Sequence, residues 1–164
     1  MTPEEIINYI SKSYDGVIPK SSWGETSFFY NPEKILPNGV YFCTIKEHDS
    51  ENDKSSALDR DQVFRLSLGV GKDVYSSLFG EIPKRPVKGG IINVPENFTK
   101  LDLLMPHPIY GWMGWICINC PTKDRFNEIT QFIEVSYKRA VEKFLKNKKV
   151  VKHRQRRNTP WLKY

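Results

Sequence analysis

From Thr122 to about Lys146 the apolar residues Phe126, Ile129, Ile133, Tyr137, Ala140, Val141, Phe144 and Leu145 recur at helical spacing. They describe one buried face about 36 Å long at 1.5 Å rise per residue. A helix face of that length must lie on a partner surface, and the rest of the chain has to build it. A second helix is predicted at the N-terminus. Thr2 caps it, Pro3 takes the first helical position, and Glu5 completes a capping box. Ile6, Ile7, Tyr9, Ile10 and Tyr14 form its apolar stripe, and Asp15-Gly16 ends it.

Between these helices the pattern changes to strands. Ser27–Tyr30 and Val40–Ile45 have strand propensity. Phe64–Val70 alternates cleanly, with Phe64, Leu66, Leu68 and Val70 on one face and Arg65, Ser67 and Gly69 on the other, which predicts a half-buried strand. Lys72–Phe79 fits a short helix with Val74, Leu78 and Phe79 inward and Gly80 as its stop. A helical turn over Thr99–Met105 and a strand over Ile109–Ile118 complete the reading. The polar segment 46–61 predicts an exposed loop, mobile in its first half, and 81–97, with three prolines and Gly89-Gly90, a second loop. The sum is α+β, an antiparallel sheet covered by N-terminal and C-terminal helices.

Length and composition agree with one domain. The chain has 164 residues, 39% apolar and 13% aromatic, enough for a hydrophobic core. Residues 1–145 carry 17 Lys and Arg against 19 acids, net −2, while 146–164 carry eight bases and no acid. The expected division is therefore a domain over 1–149 and a basic tail over 150–164. Three cysteines do not make a disulfide framework. MTPEEIINYI has no basic n-region, and no run reaches the roughly 18 apolar residues of a membrane span. A cytoplasmic protein without a membrane partner is the expectation, and the oligomeric state stays open.

The opening EEIINYI…YDGV with Trp23-Gly24 and Phe28-Phe29, and the closing helix with Phe132-Ile133, Ser136-Tyr137, Val141 and Leu145, resemble the MmcQ/YjbR-like proteins. LDRDQVFRLSLGVGKDVYSSLFG and LMPHPIYGWMGW look like a longer bacterial relative of that group, a family of uncharacterised proteins; the resemblance covers roughly residues 3–145. It implies a compact α+β fold of the double-wing type with frataxin-like topology, and, from the shorter relatives, DNA binding. Those relatives often carry His-Trp in the last strand, where this chain has Gly114-Trp115, so no role passes to that histidine.

Several residues invite chemistry. Cys117-x-x-Cys120 lacks a second ligand pair for zinc, and its first cysteine lies in a strand rather than at a helix start, so small buried thiols are the simpler reading. Gly69-Val70-Gly71-Lys72 lacks the spacing and following hydroxyl of a phosphate loop. Asp59-Arg60-Asp61 with Arg65 reads as a polar cluster. His107 sits between two prolines on a stiff turn. As a general base it would need an orienting partner such as Asp59 or Asp102; otherwise its ring bonds to backbone and fixes the turn. By alternation, Trp112 and Trp115 point to opposite faces.

No nucleophile–base or metal constellation stands out, so no catalytic residue, metal or cofactor is assigned. The expected function is a non-enzymatic binding module. One form associates with nucleic acid or another acidic partner through Lys148, Lys149, Lys152, Arg154, Arg156 and Arg157, with Trp161 and Tyr164 available to stack on bases. The other binds a small molecule or peptide in a pocket of His107, Tyr110, Trp112, Trp115 and Arg65.

Overall fold

The structure, a computed structural model, describes residues 1–157, with side chains to Val151. Six strands, β1 (Val17–Ser22), β2 (Glu25–Tyr30), β3 (Val40–Lys46), β4 (Arg65–Gly69), β5 (Leu104–Pro106) and β6 (Trp115–Asn119), form one antiparallel sheet in the order β1-β2-β3-β4-β6-β5. Helix α1 (Pro3–Ser13) precedes the sheet, α2 (Lys72–Phe79) follows β4, and α3 (Lys123–Arg157) follows β6. The predicted α+β class holds.

The local signals act as their chemistry requires. Glu5 N donates to Thr2 Oγ1 at 3.2 Å and Thr2 N donates to Glu5 Oε2 at 2.8 Å, so both halves of the capping box on α1 are made. Ile6 and Ile10 of α1 and Phe126, Ile129, Ile133, Ala140 and Phe144 of α3 are buried on one face of the sheet. They meet Phe28, Ile45, Leu66, Leu68, Ile116 and Ile118 there. Each such aliphatic side chain contributes about 1.5–3 kcal/mol by leaving water. Leu145, predicted to face inward, is half exposed instead. The face it would extend ends at Phe144, level with the ring of Tyr30, 5.1 Å away.

The opposite face of the sheet departs from the prediction. β4 is buried on both sides: Arg65 and Ser67 are as inaccessible as Leu66 and Leu68. The cause is the 47–64 segment: most of it is exposed, as predicted, but Ser56 and Leu58 are buried and Asp53 reaches down to Arg65. The 81–103 segment adds a small second core of Ile92, Phe98, Met105 and Cys117.

Three further corrections concern local structure. Thr99–Met105 is not a helical turn, because Leu104–Pro106 pairs with β6 as an edge strand. The predicted strand over Ile109–Ile118 begins only at Trp115; before it lies a 3₁₀ turn, Gly111–Met113, ended by Gly114 at φ 80°. In α2 the buried residue is Tyr75, whereas Leu78 is exposed.

Candidate functional site

Paired residues in neighbouring strands project to the same side, so the register gives the composition of the second face directly. One row reads Glu25, Lys46, Arg65, Asn119 across β2, β3, β4 and β6. The next reads Ser27, Thr44, Ser67, Cys117, Met105. A third places Phe29 opposite Tyr41 and Gly69 opposite Trp115. The helices thus cover an apolar face, and the two long loops overhang a polar one edged with aromatic rings.

Between that face and the loops lies a cleft of about 730 Å³. Arg65, His107, Tyr110, Trp112 and Trp115, the five residues singled out for a pocket, all line it. Trp112 and Trp115 do not diverge as strand alternation predicts, because the 3₁₀ turn between them breaks the period of two. Tyr41, Phe29, Lys46, Asp53 and Arg85 also line the cleft and were missed by the sequence reading. The alternation of Phe29 and Tyr41 with core neighbours was available as a signal, but the side of the sheet they face was not.

The aromatic edge is continuous. Tyr41 stacks on Trp115 with centroids 5.3 Å apart and planes 29° apart, and Phe29 lies 5.9 Å from Tyr41. Trp115 reaches Tyr41 across β4 only because position 69 is glycine: a Cβ there would sit 3.0 Å from indole Cε2. On the other wall the Arg85 guanidinium lies 4.9 Å from the Trp112 ring centroid, a cation–π contact.

Charged groups on the cleft floor are held in place. Arg65 Nη1 donates to Asp53 Oδ1 and to Ser56 Oγ, each at 3.0 Å, and Nη2 donates to Asp53 Oδ2. Burial opposes its charge, but the hydrogen bonds and charge of Asp53 outweigh it and raise its pKa. The expected cluster with Asp59 and Asp61 is not formed; Asp59 lies near His48 at 3.6 Å, and Asp53 takes Arg65. Lys46 Nζ donates to Ser50 Oγ at 3.1 Å and sits 3.5 Å from Glu25 Oε2.

His107 is buried, and its Nδ1 accepts the backbone N–H groups of Ile109 and Tyr110, both at 3.1 Å. Those donors assign the neutral tautomer with its proton on Nε2. Burial, then the charges of Arg65 and Lys46, push its pKa well below the usual value. Neither carboxylate considered as its orienter reaches it: Asp102 accepts from Thr122 N at 2.7 Å ahead of α3, and Asp59 accepts from Asp49 N. The imidazole is therefore a fixed donor, with no lone pair left for base catalysis.

The remaining candidates are quieter. Cys43, Cys117 and Cys120 are free thiols, and burial pushes Cys117 up to about 12. Among the described residues no group of three or more His, Cys, Asp and Glu is placed to hold a metal. Gly71, ahead of α2, lies against the Arg139 guanidinium, where a Cβ would be 2.3 Å from Cζ, so a side chain of the chain itself takes that position. Among the described residues no helix is long and apolar enough to cross a membrane. Lys148 and Lys149 are on α3. The side chains of Lys152, Arg154, Arg156 and Arg157, and all of Trp161 and Tyr164, lie outside the described residues.

No curated protein and no solved structure matches the chain. Residues 1–149 match a family model that spans α1, the sheet, the loops over the cleft and α3 as far as residue 149, and the chain belongs to that family, the Family of unknown function (DUF6194).

Proposed function

We propose that this protein is a non-enzymatic binding protein whose ligand is a small molecule with a planar ring, taken into the cleft on the polar face of the sheet. The observation that carries this reading is the convergence of Tyr41, Tyr110, Trp112 and Trp115 with Arg65 and His107 on one cleft of about 730 Å³. That volume lies in the range of small-molecule sites, which combine aromatic walls with a few fixed polar groups. A catalytic role fits less well, since the histidine is locked as a donor and the two carboxylates lining the cleft are paired, Asp53 with Arg65 and Glu25 with Lys46. The two end helices packed on one face of an antiparallel sheet also fit the likeness to the MmcQ/YjbR-like proteins.

An aromatic fragment library, followed by tryptophan fluorescence in a Trp23→Phe/Trp161→Phe background, tests it. Quenching from Trp112 and Trp115, with NMR shifts confined to the backbone of residues 41–46, 65 and 107–115, is the expected result. Fragments that leave both signals unmoved would defeat it.

A second reading, association with nucleic acid through the basic end, is favoured by α3, which runs without a break from Lys123 to Arg157 and so holds Lys146, Lys148 and Lys149 on one continuous helix beyond the buried Phe144. Binding of this kind rests on phosphate contacts and weakens with salt. Removing residues 146–164 leaves Phe144 in place and should abolish retention on DNA at low salt; full retention by the truncated chain rejects the idea.

A further inference from the structure

We infer that the floor of the cleft is an oxyanion subsite, where Arg65 and His107 receive the acidic end of the bound molecule while its ring lies along the tryptophan wall. The inference rests on the cleft reading above and names the chemical class of its ligand.

Arg65 is 2% exposed, and its two terminal nitrogens are engaged by Asp53 and Ser56. Its Nε–H is buried and has no hydrogen-bond partner among the described residues. A buried donor without an acceptor is costly, and charge-assisted bonds from guanidinium are among the strongest available to satisfy one. His107 adds a second donor to the same cleft: its Nδ1 accepts two backbone N–H groups, which leaves the ring proton on Nε2. Two donors and no free acceptor on these residues favour an acceptor on the ligand.

The local charge says that the acceptor is an anion. The cleft is lined by four cations, Lys46, Arg65, Arg85 and Lys88, against the carboxylates of Glu25 and Asp53. Residues 1–145 as a whole are net −2, so the cleft is positive where the surrounding body is not. Arg85, exposed at the rim and stacked on Trp112, and Lys88 are placed to draw an anion inward, while the buried pair on the floor fixes it.

The full chain is titrated with 2-naphthoate, 1-naphthyl phosphate and the neutral 2-naphthamide, by calorimetry and by tryptophan quenching. An acid that binds at least tenfold more tightly than the amide, and that shifts the His107 imidazole ¹⁵N signals, supports the subsite; the two acids separate a carboxylate from a phosphate end. Arg65→Lys, with its fold checked by circular dichroism, should lower acid affinity at least tenfold and shrink the acid-to-amide ratio. Should that variant not fold, the acid-to-amide ratio and the imidazole signals of the wild type decide. Equal binding of acid and amide overturns the oxyanion subsite and leaves the cleft reading standing. Silence from all three probes, with neutral library fragments still binding, likewise overturns only the subsite; silence from probes and library alike overturns both.

Discussion

Asp53, from the segment between β3 and β4, forms a two-point ion pair with Arg65 in the middle of the sheet, with side chains 13% and 2% exposed. The pair fastens a polar segment onto a strand whose sequence reads as half exposed. Removing one partner strands a buried charge, which costs about 3–5 kcal/mol, whereas removing both with apolar replacements is far milder. Asp53→Ala should therefore lower the stability measured by urea unfolding by that amount, and Asp53→Leu with Arg65→Met should recover most of it. Equal losses in the single and double variants would contradict the pairing.

Gly69 makes room for an indole rather than for a turn. Its absent side chain lets Trp115 lie 3.0 Å from where Cβ would stand and stack on Tyr41. Gly69→Ala has to displace that ring or the strand, at a cost of about 1–3 kcal/mol typical of overpacking. Near-ultraviolet circular dichroism should lose the Trp115–Tyr41 signature while the far-ultraviolet spectrum is kept. An unchanged near-ultraviolet spectrum would show that the ring did not need the space.

His107 makes stability depend on pH in a defined direction. Its folded pKa lies well below the unperturbed 6.5. Below pH 6.5 the unfolded chain binds a proton that the native fold refuses, so the unfolded state gains. The contribution is complete above pH 6.5 and declines on acidification by about 1.4 kcal/mol per pH unit until the native pKa is reached. Unfolding free energies between pH 7.5 and 5 should follow this slope, His107→Asn should flatten it, and the His107 imidazole NMR signals of the native protein should not titrate over the same range. Titration of the native ring near pH 6.5 would refute the assignment.

The three cysteines should react unequally. Cys43 and Cys117 are buried, with pKa raised by that burial, while Cys120 is partly accessible at the end of β6. Thiolate is the reactive form, so iodoacetamide on the folded protein should modify Cys120 quickly and the other two only as fast as the fold opens. Mass spectrometry that finds Cys117 modified as fast as Cys120 would show that the fold does not shield it.

The sequence by itself determined the elements whose signals are local. Thr2 and Glu5 fix the start of α1, the spacing from Phe126 to Phe144 fixes the buried face of α3, and the alternation of Leu66 and Leu68 fixes the core side of β4. Caps and periodicity act over one or two turns, so neighbouring residues suffice to read them. The five pocket residues were also legible as types worth attention: a histidine between prolines, two tryptophans, a tyrosine and a lone arginine in a strand.

Only the tertiary structure decided what those residues do. Arg65 is buried because a segment twelve residues earlier in sequence folds over it, and the polar row across β2, β3, β4 and β6 exists only once four strands are in register. The strand predicted over Ile109–Ile118 fails because Gly114 enters the left-handed region and the His107 ring captures the N–H groups a strand would have used. Trp112 and Trp115 share a cleft for the same reason. Each of these outcomes depends on which distant backbone or side chain arrives to satisfy a donor, a charge or a ring, and that is settled by long-range packing rather than by the residues on either side.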